Sequence, residues 1–305
     1  MTPAKPLRKD GDDRQNPYQN WGDVVRAAAG VLAAAGVRSP RVDAELLLAH
    51  VLDRDLSELR RALVLGEPVG EGERAAYDRL VEQRAARVPL QHLTGVAHFR
   101  RLSLRVGPGV FVPRPETEVL VDLALADLRA AGEAPVVVDL CTGSGAIALA
   151  VADEWPEARV HAVELSEDAH AWAAANVARS GLRVDLRLGD ATTAFEDLLG
   201  QVDVVVSNPP YIPPGSVPVD PEVRDHDPEV ALYGLGEDGL QVPLAVAARA
   251  AELLVPGGVL LMEHADVQGE ELVRRLTATG NWTEVTDHAD LTGLPRVTRA
   301  VRGGR

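Results

Sequence analysis

Val136-Val-Val-Asp139-Leu-Cys141-Thr-Gly143-Ser-Gly145-Ala146 is the stretch on which the reading of the fold turns. An apolar run bounded by Pro135 passes into a loop with two glycines, and a helical pattern follows over 146–153. A continuous apolar run, rather than an alternating one, suits a strand covered on both faces. Glycines in the loop let the backbone approach a ligand closely. Asp139 is placed to order that loop or to reach a charged ligand group. Ala148 stands where the dinucleotide fingerprint has its third glycine, a replacement that fingerprint tolerates.

Working outward, the strand–loop–helix pattern repeats. Further strands are expected at 159–164, 184–188, 202–207 and 259–262, with a helix at 168–178. Alternating strands and helices predict an α/β fold with a parallel sheet. Glu164 ends the second strand, nineteen residues beyond Gly145. A carboxylate there can accept hydrogen bonds from both ribose hydroxyls of an adenosine cofactor. NAD and S-adenosylmethionine both remain open at this point.

A third element decides between them. Asp203-Val-Val-Val-Ser207-Asn208-Pro209-Pro210-Tyr211 puts a rigid polar turn at the end of the fourth strand. Two successive prolines restrict the backbone and remove two N–H donors. The Asn208 side-chain oxygen and the Pro209 carbonyl can then both accept from a planar NH2 group. Two acceptors fix the nitrogen's orientation and favour the partial positive charge it gains during methyl transfer. Tyr211 can lie against the flat face of the acceptor.

The N-terminal third reads differently. Residues 1–18 are rich in Lys, Asp, Pro and Gln and are expected to form a disordered tail. From about 20 to 92 the pattern is helical, with Val24, Val25, Ala28, Val31 and Leu32 on one face. Similar stripes run over 45–52 and 75–81, with Pro68, Gly70 and Gly72 between them. Leu102, Leu104 and Val106 alternate with Arg101, Ser103 and Arg105, and Gly107-Pro108-Gly109 precedes Val110, Phe111 and Val112. A β-hairpin joining two domains is expected there, with its turn at 107–109.

Composition narrows the function classes. The formal net charge is −15 and aromatics make up 4% of the chain. Nucleic-acid binders generally carry a basic field and stack bases on aromatic rings, so no stable nucleic-acid partner is expected. The single cysteine, Cys141, excludes an intrachain disulfide and fits a reducing cytoplasm. No histidine is placed by sequence to activate Cys141, which reads as a small residue allowing close backbone approach. The eight histidines lack metal-ligand spacing, and no metal is expected. The first residues show no apolar signal core and no apolar run is long enough for a membrane span. Asp220, Asp225 and Asp227 are expected to lie on a solvated lid.

The Asn208-to-Tyr211 turn with its upstream glycine loop resembles methyltransferases that act on amide or exocyclic amine nitrogens. Pro113-Arg114-Pro115-Glu116-Thr117-Glu118 resembles the signature of the release-factor glutamine methyltransferase family (HemK/PrmC). Pro89-Leu90-Gln91-His92-Leu93-Thr94-Gly95 is similar to that family's lead-in to the hairpin. Asp227-Pro-Glu-Val-Ala231-Leu232, Asp238-Gly239-Leu240, Pro256-Gly257-Gly258 and Gln268 fit as well. The resemblance runs from about residue 20 to the end of the chain.

The resemblance implies a Rossmann-like, seven-stranded class I methyltransferase sheet with a reversed last strand. It implies a helical substrate-recognition domain over 19–95, a β-hairpin linker over 96–113 and a methyltransferase domain over 114–305. The cofactor implied is S-adenosylmethionine. Cys141, Thr142, Gly143, Ser144 and Gly145 would wrap its methionine moiety, with Asp139 behind them. Glu164 would hold the ribose, and Asp190 and Ala191 would sit beside the adenine. Asn208 would lie between cofactor and acceptor. Pro209, Pro210, Tyr211, Arg114 and Glu116 would join it around the acceptor. The implied substrate is the Gly-Gly-Gln glutamine of class 1 peptide-chain release factors, methylated by a cytoplasmic monomer, with the helical domain helping to present it. Three rivals stay open: a DNA or RNA adenine methyltransferase, a ribosomal-protein glutamine methyltransferase, and a binding module that retains the cofactor fold without transfer.

Overall fold

The computed structural model describes residues 20–304, so the tail expected at 1–18 lies outside the described residues. The chain divides into two compact units, the first ending at Leu93 and the second starting at Thr94.

The first unit is helical: α1 (Trp21–Ala34), α2 (Pro40–Leu52), α3 (Leu56–Leu65) and α4 (Glu71–Ala85). The Asn20 side chain caps α1 by accepting from the Asp23 amide, and Asp55 caps α3 through the Ser57 and Glu58 amides. Trp21, Leu32, Leu47, Leu48, Leu59 and Tyr77 fill the core. The buried Tyr77 hydroxyl donates to the Ala44 carbonyl at 3.0 Å, and buried Arg84 pairs with Asp43 at 2.7 Å. Val31 departs from expectation, being 50% exposed. The buried stripe of α1 runs through Trp21, Val24, Val25, Ala28 and Leu32, and one helical step of about 100° carries Val31 off it. A short helix, α5 (Leu90–Thr94), spans the boundary.

In the second unit, β1 (Val96–Phe99) and β2 (Leu102–Arg105) form an antiparallel hairpin. Its turn is at Arg100 and Arg101, not at 107–109. Arg100 has φ +50°. Its amide donates to Glu118 at 2.9 Å, and its guanidinium pairs with Glu154 and with Asp122. The segment around 110–112 forms no strand. Val106, Val110 and Val112 instead pack on Ala169 and Trp172, so their apolar spacing reflects docking onto a helix. Gly107 is needed there because a Cβ would meet the Trp172 ring at 2.5 Å.

The remaining elements are α6 (Glu118–Leu128), β3 (Val136–Leu140), α7 (Ala146–Glu154), β4 (Arg159–Glu164), α8 (Glu167–Ser180), β5 (Val184–Leu188) and β6 (Val202–Ser207). After them come α9 (Pro221–His226), α10 (Glu229–Leu232), α11 (Gln241–Leu253), β7 (Leu254–Glu263), α12 (Gly269–Ala278), β8 (Trp282–Ala289) and β9 (Pro295–Arg302). Among the described residues β3 to β9 make a seven-stranded sheet in the order β5-β4-β3-β6-β7-β9-β8. Neighbouring strands from β5 to β7 are parallel, while β9 runs antiparallel to both β7 and β8. This is the Rossmann-like class I methyltransferase sheet with its last strand reversed. Strand β7 is longer than the expected 259–262 because Leu254 already pairs with Val202 before Pro256, Gly257 and Gly258 break the register.

Alternate residues of the central strands feed two cores. Val137, Val204, Val206 and Leu261 join α6 and α7 in one; Val138, Leu140, Val205 and Met262 join α11 and α12 in the other. From β3 the chain moves to β4 on one side, while β6 lies on the other. The order therefore reverses between β3 and β6, where open α/β sheets place their ligands, beyond the strands' C-terminal ends.

Candidate active site

Both sequence-derived loops leave that point. Leu140 and Ser207 are register partners, and the Ser207 hydroxyl donates to the Leu140 carbonyl at 2.5 Å. Cys141 and Asn208 are thus the first residues past one shared rung.

The glycine loop is held from beneath and from the side. Asp139 is fully buried. Its Oδ2 accepts from the Thr142 hydroxyl at 2.6 Å and from the Ala148 amide at 3.2 Å, while Oδ1 has no partner. Burial pushes its carboxyl up to about 7, against the lowering pull of Thr142 and Ala148. Glu164 spans the loop: Oε2 accepts from the Gly143 amide and Oε1 from the Ser166 amide, both at 2.8 Å. Cys141, Gly143 and Gly145 have φ of +70°, +58° and +85°, so the loop turns through left-handed backbone. A Cβ on Gly143 would meet nothing within 4 Å, so the loop's outer side is open. Burial, with Glu164 and Asp139 nearby, pushes the Cys141 thiol well above its ordinary range, which suits a packing residue and not a thiolate nucleophile. The Ser144 carbonyl accepts from Asn176 Nδ2 at 2.9 Å, and Asn176 also brackets both backbone groups of Arg105. Asn176 was unmarked in the sequence because a helical asparagine has no distinguishing spacing.

Ala191 is buried in the α11–α12 core, and the neighbouring Asp190 is exposed, its Oδ1 accepting from the Thr192 amide and hydroxyl. The Gly189 amide donates to the Glu164 carbonyl at 2.8 Å, tying this turn to the end of β4.

The Asn208–Tyr211 turn is braced by distant chain. Asn208 Nδ2 donates to the Thr117 hydroxyl at 3.4 Å, and the Tyr211 hydroxyl donates to Glu263 Oε1 at 3.4 Å. Gln268 Nε2 donates to the Tyr211 and Asp238 carbonyls, at 2.9 Å each. Gly239 presses on the same turn: a Cβ there would stand 2.2 Å from the Tyr211 carbonyl oxygen. Gly234 is equally confined, its Cβ direction leading to the Pro210 carbonyl oxygen at 2.6 Å. Gln268 and Asp238-Gly239-Leu240 therefore have a common physical role, which is to fix the backbone of this turn. Pro209 is buried and Pro210 half-buried within it.

Arg114 donates to Asp227 at 2.8 Å and lies over the Phe111 ring. Asp227 is buried, with burial pushing its carboxyl up to about 6, so it is no solvated lid residue; Asp225 is exposed and pairs with Arg224. The arginine holds Asp227 inside, and this is the physical reason for the difference. Glu116 is exposed on the 3-10 turn formed by Pro115–Thr117.

Glu263 is a further site residue that no sequence motif includes. It ends β7, is 3% exposed, and burial pushes its carboxyl up to about 7. The signal was present: a lone carboxylate closes the apolar run Val259-Leu-Leu-Met at a strand's C-terminal end, where a parallel sheet keeps its chemistry. No group of His, Cys, Asp and Glu among the described residues could hold a metal ion, and no helix among them is long and apolar enough to cross a membrane.

Comparison with known proteins gives a consistent result. The PrmC N-terminal domain family matches residues 23–95 and the Methyltransferase small domain family matches 102–218. A release factor glutamine methyltransferase of Streptomyces coelicolor is 53% identical over 278 residues, covering 90% of this chain and 96% of that protein. Relatives with the same name from Mycolicibacterium smegmatis (48%, covering 92% and 97%) and Deinococcus radiodurans (45%, covering 92% and 98%) match over similar lengths. With identities this high along nearly the whole of both chains, the chain belongs to the release factor glutamine methyltransferase family.

Proposed function

We propose that the chain transfers a methyl group from S-adenosylmethionine to the side-chain amide nitrogen, N5, of the Gly-Gly-Gln glutamine in class 1 peptide-chain release factors. It thereby supports translation termination, acting as a cytoplasmic monomer, with the helical unit helping to present the substrate. Membership of the family supports the activity. One observation carries the chemistry: the glycine loop and the Asn208–Tyr211 turn leave the same rung of adjacent parallel strands.

The residues present fit the cofactor. Asp139 has a buried oxygen without a partner, the loop beside it is open at Gly143, and the Glu164 carboxylate lies along that loop. Asp139 with Cys141 to Gly145 would hold the amino-acid end, Glu164 the ribose, and Asp190 with Ala191 the adenine. The cofactor supplies a methyl carbon activated by a sulfonium.

The protein's share of the work follows from the weakness of the nucleophile. An amide lone pair is delocalised, so the site supplies orientation and electrostatic support, not a strong base. Asn208 Oδ1 and the Pro209 carbonyl accept the two N–H bonds of the glutamine amide and aim its nitrogen. Tyr211 covers the flat face. The negative ends of both acceptors favour the positive charge that develops on nitrogen, which loses one of its two protons once methylated.

Peptide mass spectrometry after incubating release factor with isotopically labelled S-adenosylmethionine tests this reading. One added methyl on the Gly-Gly-Gln glutamine is expected, and none on a release factor with that glutamine changed to alanine. Duplex DNA at low salt, where a DNA enzyme binds best, should stay unmodified. Methylated adenine with unmodified release factor would overturn the reading, and modification of a ribosomal-protein glutamine instead would reassign the substrate.

A further inference from the structure

Asn208 can serve as described only if its oxygen, and not its NH2 group, faces the acceptor. The two ends of an asparagine amide have nearly the same shape, so packing alone does not choose between them. A chain of polar groups behind Asn208 does. Ser207 and Met262 are register partners, which puts Asn208 and Glu263 one residue past a common rung on β6 and β7. Of the groups that pull the Glu263 carboxyl back down the Thr117 hydroxyl is the strongest, and Asn208 Nδ2 donates to Thr117 Oγ1 at 3.4 Å. The Tyr211 hydroxyl reaches the same carboxyl.

The direction of this chain follows from its end. Above about pH 7 Glu263 is ionised, and an ionised carboxylate only accepts hydrogen bonds. In that state Thr117 gives its single proton to Glu263, which leaves a lone pair facing Asn208. Only the NH2 end of Asn208 can meet a lone pair, so Oδ1 is turned the other way. Thr117 is 4% exposed and Glu263 3%, so water does not compete for either group.

We propose that Glu263, acting through the Thr117 hydroxyl, is a positioning residue that sets the Asn208 amide with its oxygen toward the acceptor nitrogen. The inference rests on the role given to Asn208 above. It gives Thr117, within the Pro113–Glu118 element, a duty separate from that of Arg114, which holds Asp227.

The test uses the full-length chain at about pH 8, where Glu263 is ionised. Thr117→Val keeps the shape of the side chain and removes both hydroxyl roles, while Thr117→Ser keeps the hydroxyl. Thr117→Val should lower kcat for release-factor methylation by about tenfold or more, below the loss expected for a preorganised group in direct contact. Its affinity for S-adenosylhomocysteine should stay within about twofold, and Thr117→Ser should recover most of kcat. Placed on Asn208→Ala, Thr117→Val should cost nothing further, because the group it orients is gone. A second readout needs no turnover. The side-chain amide resonances of Asn208, identified by their loss in Asn208→Asp, should shift and exchange faster with solvent in Thr117→Val and in Glu263→Leu, but not in Thr117→Ser. A Thr117→Val enzyme with wild-type kcat, or one whose loss is the same with and without Asn208, overturns the inference. If the wild-type chain leaves release factor unmodified, the functional reading fails, and the Asn208 resonances still decide the positioning role.

Discussion

The loops after β3 and β6 start side by side and are held in opposite ways. The glycine loop takes its support from nearby chain: Asp139 bonds Thr142 and Ala148, and Glu164 reaches Gly143 across 21 positions. The Asn208–Tyr211 turn takes its support from afar: Thr117 is 91 positions away, Glu263 is 52 from Tyr211, and Gln268 is 57. The first loop is a cradle closed within the span β3 to α8, with Asp139 beneath it, Glu164 beside it and Asn176 on the Ser144 carbonyl. The second is braced by the 3-10 turn at Pro115–Thr117, the Asp238–Gly239 turn, the end of β7 and Gln268 ahead of α12. Cofactor binding is thus expected to survive damage that abolishes transfer, and the predictions below test that separation.

The largest effect is expected at Asn208. Asn208→Ala removes a preorganised acceptor at the reacting centre, and the methylation rate should fall about a hundredfold or more. Cofactor affinity should change far less, since the contacts proposed for it come from the glycine loop and Glu164. Single-turnover methylation and calorimetry with S-adenosylhomocysteine separate the two. Comparable losses in rate and affinity would show that the two loops act as one site.

The same contrast explains what the sequence disclosed. Strands β3 and β6 are legible to the residue because well-covered strands read as apolar runs, while the edge strand β5 reads from alternation of Val184, Leu186 and Leu188 with polar residues. Asn208 and Tyr211 are legible as a motif, while their supports are not. Glu263 is marked only as a carboxylate closing an apolar run, and no local spacing marks Thr117. The hairpin turn lies away from the 107–109 signal for a related reason. Gly107, Pro108 and Gly109 carry strong turn chemistry, yet Arg100 turns the chain because Glu118, Asp122 and Glu154 hold it. Strands β8, at the sheet edge, and β9, between β7 and β8, mix polar and apolar residues, and only the family resemblance anticipated them.

A middle-sized effect is expected at Glu164. Glu164→Ala removes the proposed ribose acceptor and leaves the Gly143 and Ser166 amides without their partner. Binding of S-adenosylhomocysteine should weaken by about 1.5–3 kcal/mol, the scale of hydrogen bonds to a charged group. Glu164→Gln keeps one acceptor oxygen and should lose less. Calorimetry at matched pH measures both, and unchanged affinity in Glu164→Ala would remove this residue from the cofactor site. The rate at saturating cofactor should fall less than in Asn208→Ala, since the acceptor turn keeps its own distant supports.

The smallest effect concerns the buried carboxyl that each loop keeps. Asp139 under the glycine loop and Glu263 beside the acceptor turn are both pushed up to about 7, burial being the largest cause in each. At Glu263, Thr117, Arg296 on β9 and Tyr211 pull the other way, while Glu116 adds to the rise. From an ordinary value of 4.5 up to about 7, the folded chain holds a proton on Glu263 that the unfolded chain has released. Protons therefore favour the folded state in this window. Stability falls as pH rises through it and levels off above, where the ionised group is buried at a cost. Glu263→Gln removes this share and leaves that of Asp139 intact. The drop in melting temperature between about pH 5 and about pH 8 should be smaller in the variant than in the wild type, with the curves converging toward the acid end. Asp139→Asn should remove a similar share from the other loop, and the two reductions should add, because the loops draw on separate supports. Reductions that fail to add would show that the carboxyls titrate as a coupled pair, and that the loops share one electrostatic site despite their separate scaffolds.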